Sequence, residues 1–296
     1  MKYSNFAIVA SFFGLWLDSS FSKNTQLIFG FILILSFGII HGANDLLLIN
    51  YINKNNKPLS YLKLLFYYLI IVGLGGILFW IIPWFGLLLF ILVSGYHFGE
   101  QQWQNLETGV VFKLFEFTYG LFILLLLFIF HVEEVQNVIF NIASISIPEN
   151  YFSVGLLITS FLLVILGIYF VRINETFKNK WFLETFYLLV FTIIFKVSSL
   201  IWGFAIYFII WHSIPSIINQ VSYLNGSFNW KNFVVYIQNA FIYWIVSLIG
   251  IVVLYYLFRD VKLFNAIFFS FLAAITFPHV AVLFLVFKKN KKNRAF

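Results

Sequence analysis

The sequence predicts an all-helical, polytopic integral-membrane bundle of about eight to ten transmembrane helices, and three observations predict it. Hydrophobic residues fill 62% of the 296 positions and charged ones only 10%, a balance that no soluble domain of this size can hide. The apolar residues come in about ten runs, near 6–17, 26–50, 61–82, 84–99, 110–131, 151–171, 181–199, 200–222, 233–257 and 264–287. Most of these approach the ~20 residues a span needs. The basic residues gather at the ends of the runs and at the carboxy terminus, where they read as topology signals.

The first run follows Lys2 and precedes Asp18 without a small-residue cleavage pattern, so it is expected to be an uncleaved anchor. Runs 6–17 and 84–99 are short for a span, which predicts tilted or partial crossings. With the amino terminus in the cytoplasm and sides alternating, Lys54, Lys57, Lys63, Arg172, Lys178, Lys180, Lys231 and the tail fall inside. Only Lys23, Lys196, Arg259 and Lys262 fall outside, which predicts that both termini are cytoplasmic. The expectation is a single transmembrane domain, 1–296, ending in a basic cytoplasmic tail, 288–296. The net charge of +7 then points to anionic lipid headgroups and not to nucleic acid. There is no cysteine, which excludes disulfides and thiolate ligation.

Against this background the histidines stand out. His41, His97, His212 and His279 are embedded in apolar runs beside a Gly or a Pro, where an ionisable group is costly and calls for a reason. In the alternating topology they lie on the second, fourth, eighth and tenth runs, which cross in the same direction, at 15, 13, 12 and 15 residues from the run starts. At ~1.5 Å per residue that is within about one turn of a common depth. A cluster of neutral imidazoles without cysteine suits a borderline first-row metal such as Fe(II) or Zn(II). For any one of them, a histidine satisfied by a backbone carbonyl is an equal reading; a shared role rests on the set. His131, beside Glu133 and Glu134 at the end of its run, does not belong to it.

The neighbours carry two readings each. Gly38, Gly42, Gly95 and Gly99 form Gly-x-x-x-Gly spacings that serve helix packing as well as a site. Asp45, one turn after His41, is placed to accept that imidazole's second N–H, or to act as an interfacial cap; Glu100, three residues after His97, offers the same choice. Pro215 and Pro278 break the hydrogen-bond ladder near His212 and His279. Tyr96, Phe98, Trp202, Tyr207, Trp211 and Phe277 are candidates to line a pocket for a flat apolar ligand.

The blocks His41-Gly-Ala-Asn-Asp45, Tyr96-His97-Phe98-Gly99, Trp211-His212-Ser213 and Pro278-His279, in this order from about residue 36 to 282, resemble the Brp/Blh family. That family comprises membrane β-carotene dioxygenases of bacteria and archaea, often found beside rhodopsins. The resemblance implies a bacterial inner-membrane enzyme that uses histidine-held Fe(2+) and O2 to split the central double bond of β-carotene into two all-trans retinal. It implies His41, His97 and His212 as iron ligands. Ser216 stands where the family's Trp-His-Ser-x-x-x-His pattern carries a second histidine, and a hydroxyl is a poor iron ligand beside imidazole. Either His279 completes the site from another helix, or the iron is lost and the protein is a non-catalytic relative that binds or delivers a carotenoid or retinal, or acts on another polyene. A transporter is the reading from a third class, but no inverted repeat is visible and intramembrane charges are few, Glu116 and Lys196 chief among them.

Overall fold

The expected apolar runs are helices in the computed structural model, which describes residues 3–52, 60–104, 106, 109–257 and 261–294. No strand occurs among the described residues. In chain order the helices are α1 (Tyr3–Ser20), α2 (Lys23–Gly42), α3 (Asp45–Ile52), α4 (Tyr61–Ile81), α5 (Pro83–Gln102), α6 (Val110–Phe130) and α7 (Val132–Ala143). They continue as α8 (Glu149–Ile173), α9 (Glu175–Val197), α10 (Leu200–Ile206), a π-helical stretch (Tyr207–Ser213), α11 (Ile214–Asn225), α12 (Trp230–Leu257) and α13 (Val261–Arg294). Among the described residues, six helical segments are long and apolar enough to cross a membrane: Lys23–Ile52, Leu62–Ile81, Val110–Phe130, Glu149–Ile173, Leu200–Asn225 and Trp230–Gly250.

Three features depart from unbroken runs. The run at 26–50 is two helices, parted at residues 43–44, and the run at 200–222 passes through a π-helical stretch before Pro215 opens α11. The amphipathic α7 lies in what the sequence offered as the loop after His131. The basic tail continues α13 as far as Arg294; its last two residues, and Lys54, Lys57 and Arg259, lie outside the described residues.

The chain divides into two units. The first comprises Met1–Ile34, Ile91–Asn137 and Ser146–His212. In it α6 packs on α8 and α9, and α1 packs on α9 and α10. Its centre is an aromatic knot in which Trp103 stacks on Phe177 at 4.8 Å and meets Phe115 edge-on at 4.9 Å. Here α5 and α6 touch backbone to backbone: a Cβ on Gly99 would lie 1.7 Å from the Glu116 carbonyl oxygen, and one on Gly120 would lie 1.9 Å from that of Gly95. The glycine spacing of α5 is therefore a packing device, as small residues are where helices meet without a hydrophobic driving force.

The second unit comprises Leu35–Phe90, Val138–Ile145 and Ser213–Phe296. In it α13 lies along α4 and α3, and α12 packs on α11 and α13. Leu48, Val282, Leu283 and Val286 form one buried cluster, and Ile217, Val221 and Tyr236 another. Gly75 lets α4 approach α13, because a Cβ there would already lie 3.1 Å from the Ala274 Cα.

Two substitutions separate packing glycines from the rest. Gly120→Ala drives a methyl into the Gly95 carbonyl and is expected to cost at least the ~1–3 kcal/mol of an over-packed core, seen as lost monodisperse protein on size-exclusion chromatography. Gly73→Ala, where nothing lies within 4 Å, should leave the elution profile unchanged or improve thermal stability.

Candidate metal centre

An imidazole pair sits in each unit. In the second unit, α2 ends at Gly42 directly after His41, and α13 presents His279 next to the internal Pro278. Both rings are buried, at 3% and 4% exposure, with centroids 4.4 Å apart and their Nε2 atoms 2.8 Å apart. Asp45, the first residue of α3, places Oδ1 2.8 Å from His279 Nδ1. A carboxylate accepts, so His279 Nδ1–H donates to Asp45, and Nε2 faces His41. The phenol of Tyr68 donates to the other carboxylate oxygen at 3.0 Å. A Cβ on Gly42 would make ordinary contact with His279 Nδ1, at 3.5 Å.

Asp45, which its spacing offered either to His41 or as an interfacial cap, accepts from His279. The helix break explains the difference: with a turn at residues 43–44, positions 41 and 45 no longer share one continuous helical face. His41 is held from elsewhere. Gln220 on α11 donates from Nε2 to the His41 carbonyl at 3.1 Å, and the same nitrogen lies 3.2 Å from Ser216 Oγ and 3.5 Å from His41 Nδ1. Tyr236 on α12 donates to Gln220 Oε1 at 2.8 Å. Asn44, in the turn, donates to the Tyr236 carbonyl at 3.0 Å. Ser216 is buried within this network at 2% exposure.

In the first unit the pair is His97 on α5 and His212 in the π-helical stretch, both 2% exposed, with ring centroids 4.7 Å apart and planes crossing at 82°. Pro215, three residues on, has no N–H to return to the preceding turn. The His212 carbonyl accepts from Gln101 Nε2 at 2.6 Å, and the Ile210 carbonyl accepts from the Tyr3 phenol. Such a π segment is a frequent companion of functional sites in helices.

The aromatic candidates separate. Phe98 lies 4.6 Å from His212, edge-on, and 5.5 Å from Tyr207. Trp211 and Trp202 turn to α1 instead, donating their indole N–H groups to Ser11 Oγ at 2.9 Å and the Gly14 carbonyl at 3.0 Å. In the second unit, Phe277 is half-buried and borders Gly75. Tyr96 donates to Glu100 at 2.9 Å, one turn along α5. Phe208, which the sequence did not single out, stacks on the His212 ring at 5.5 Å and 22°.

Two other features bear on the site. Glu184 on α9 accepts from Gln102 Nε2 and, at 2.7 Å, from the Tyr119 phenol, tying the end of α5 to α6 and α9. His131 donates Nε2–H to the Phe195 carbonyl at 2.8 Å and, beside Glu134, holds that carboxyl below the usual carboxylate range; it is a structural histidine, as its place at the run's end suggested.

The residues present suit a metal ion. Buried neutral nitrogen donors with no thiolate are a first-row metal's ligand set, and the carboxylate on His279 is the partner that fixes a ligating imidazole. No curated protein sequence and no solved structure matched the chain. A family model described as β-carotene 15,15'-dioxygenase matches residues 32–286, which takes in both imidazole pairs, Asp45 and Ser216. The chain therefore belongs to the β-carotene 15,15'-dioxygenase family.

Proposed function

We propose that the protein is an Fe(2+)- and O2-dependent enzyme that cleaves β-carotene at its central double bond into two all-trans retinal molecules. The observation that carries this reading is that the family match spans two buried imidazole pairs, one of them oriented by a carboxylate. In the second unit His41 and His279, and in the first His97 and His212, offer buried ring nitrogens that a metal ion can use.

The reaction balances without a further reductant: one carbon–carbon double bond breaks, two carbonyl bonds form, and each oxygen atom of O2 ends in one aldehyde. Ferrous iron on neutral imidazoles supplies the redox chemistry that lets dioxygen react with a polyene. The chain's own residues do the rest. Asp45 keeps the His279 Nδ1 proton and so leaves Nε2 as the ligating atom. The aromatic residues Phe98, Tyr207 and Phe208 beside His212 offer flat apolar faces to a hydrocarbon substrate and exclude water. Alignment of the polyene against the metal, and not acid–base chemistry, sets the cleavage position.

Ser216 favours a second reading, a relative that binds or delivers a carotenoid or retinal without cleaving it, because a hydroxyl engaged with Gln220 stands at the position of an expected imidazole. Expression in a host that accumulates β-carotene separates the two. Retinal appearing with loss of pigment, against an empty-vector control, is the expected outcome; unchanged β-carotene with well-folded, iron-free protein favours the binding relative.

Two variants test the ligand assignment. His97→Ala should lose both iron and cleavage, and iron retained at wild-type stoichiometry would remove His97 from the metal. Asp45→Asn keeps the shape but offers the His279 N–H a weaker acceptor. Metal affinity, read by competition with a chelator, should fall by about 10–100-fold, and an unchanged affinity would mean that the carboxylate does not support a ligand.

A further inference from the structure

Helix α2 ends at Gly42, directly after His41, and the carbonyls of a helix's last turn draw on donors outside the helix. The His41 carbonyl finds its donor in Gln220 Nε2 at 3.1 Å. That amide is itself held at both ends. Tyr236 has one phenolic proton, and its shortest contact, 2.8 Å, is to Gln220 Oε1; the Ile40 and His41 carbonyls are farther, at 3.3 Å. Oε1 facing a phenolic donor leaves Nε2 facing the carbonyl, and Ser216 Oγ, 3.2 Å away on the preceding turn of α11, accepts the second amide proton. All of these atoms are buried, and Gln220 itself is 4% exposed. A side chain committed on every side cannot turn without leaving a polar group unsatisfied in an apolar interior.

We infer that Gln220 is the positioning residue of His41, and that Ser216 serves to anchor Gln220 and is not a vacant ligand position. The inference rests on the reading of His41 as a metal ligand. Gln220 acts through the backbone: by fixing the carbonyl of the last residue before Gly42, it fixes the Cα–Cβ direction from which the imidazole swings. The first unit repeats the device. Gln101 Nε2 donates to the carbonyl of His212 at 2.6 Å, within the π-helical stretch. In each unit, a histidine at an irregular point of its helix has its own carbonyl held by a buried glutamine amide.

The experiment uses the purified full chain and cobalt(II) alone as the probe, because its ligand-field spectrum reports ligand geometry independently of turnover. Gln220→Leu should bind cobalt(II) about 10–100-fold more weakly, with an altered ligand-field spectrum at saturating metal. Wild-type affinity and spectrum in this variant would overturn the inference. Tyr236→Phe keeps the ring packing and removes only the proton that orients the amide, so it carries the test should Gln220→Leu fail to fold. It should weaken cobalt(II) binding in the same direction by less, and no change would overturn the inference. Added to Gln220→Leu, Tyr236→Phe should cost nothing further, whereas additive losses would show two independent effects. A wild-type protein that cleaves β-carotene while Gln220→Leu keeps its metal site intact sinks the positioning role alone. A wild-type protein that takes up neither cobalt(II) nor iron sinks the ligand assignment, and this inference with it.

Discussion

In an apolar bundle, a backbone carbonyl released from its helix must find another donor, because no water is there to replace it. This chain breaks its helices beside two of its candidate ligands and meets the requirement with side chains. In the π-helical stretch before Pro215, the Ile210 and His212 carbonyls accept from Tyr3 and Gln101. The His41 carbonyl, at the end of α2, goes to Gln220. The caps make those breaks stable enough to serve as fixed positions. Site and fold are thus two consequences of one demand for hydrogen-bond partners.

Much of this was legible in the sequence because hydrophobic length is a strong signal. The apolar runs became helices, the histidines at Gly or Pro became buried pairs, and Gly95 and Gly99 became a packing face on α6. His131, set aside from its position at a run's end, does act structurally. What escaped was whatever depended on interruption. A run of apolar residues does not say where the helix inside it stops, so the gap at 43–44 was invisible, and with it the transfer of Asp45 from His41 to His279. The short α7 alternates polar and apolar residues around two glutamates and reads as a loop when only span length is sought.

Tyr68, Phe208, Gln220 and Tyr236 escaped for a different reason. Tyrosine and phenylalanine are so frequent here, at 16 and 41 residues, that no single one is conspicuous. Gln220 was open to detection: an amide inside an apolar run is expensive to bury unless its four hydrogen-bonding positions are used. The rule that drew notice to the histidines applies to it with nearly equal force. Its partners, by contrast, lie 179 residues away at His41 and 16 away at Tyr236, and no periodicity connects such distances.

The second unit also has an electrostatic logic. Asp45 is 1% exposed, and its two oxygens are held by the His279 N–H and the Tyr68 phenol. Hydrogen bonds of this kind lower the cost of a buried carboxylate but leave its charge in an apolar surrounding. A dication ligated through His279 Nε2 would put compensating positive charge one ring away, along the same axis that fixes the tautomer. The carboxylate then favours the metal, and the metal relieves the carboxylate. Imidazoles alone give a cation no such counter-charge, so the buried aspartate beside His279 is the feature that would couple the binding of a metal ion to the stability of this unit.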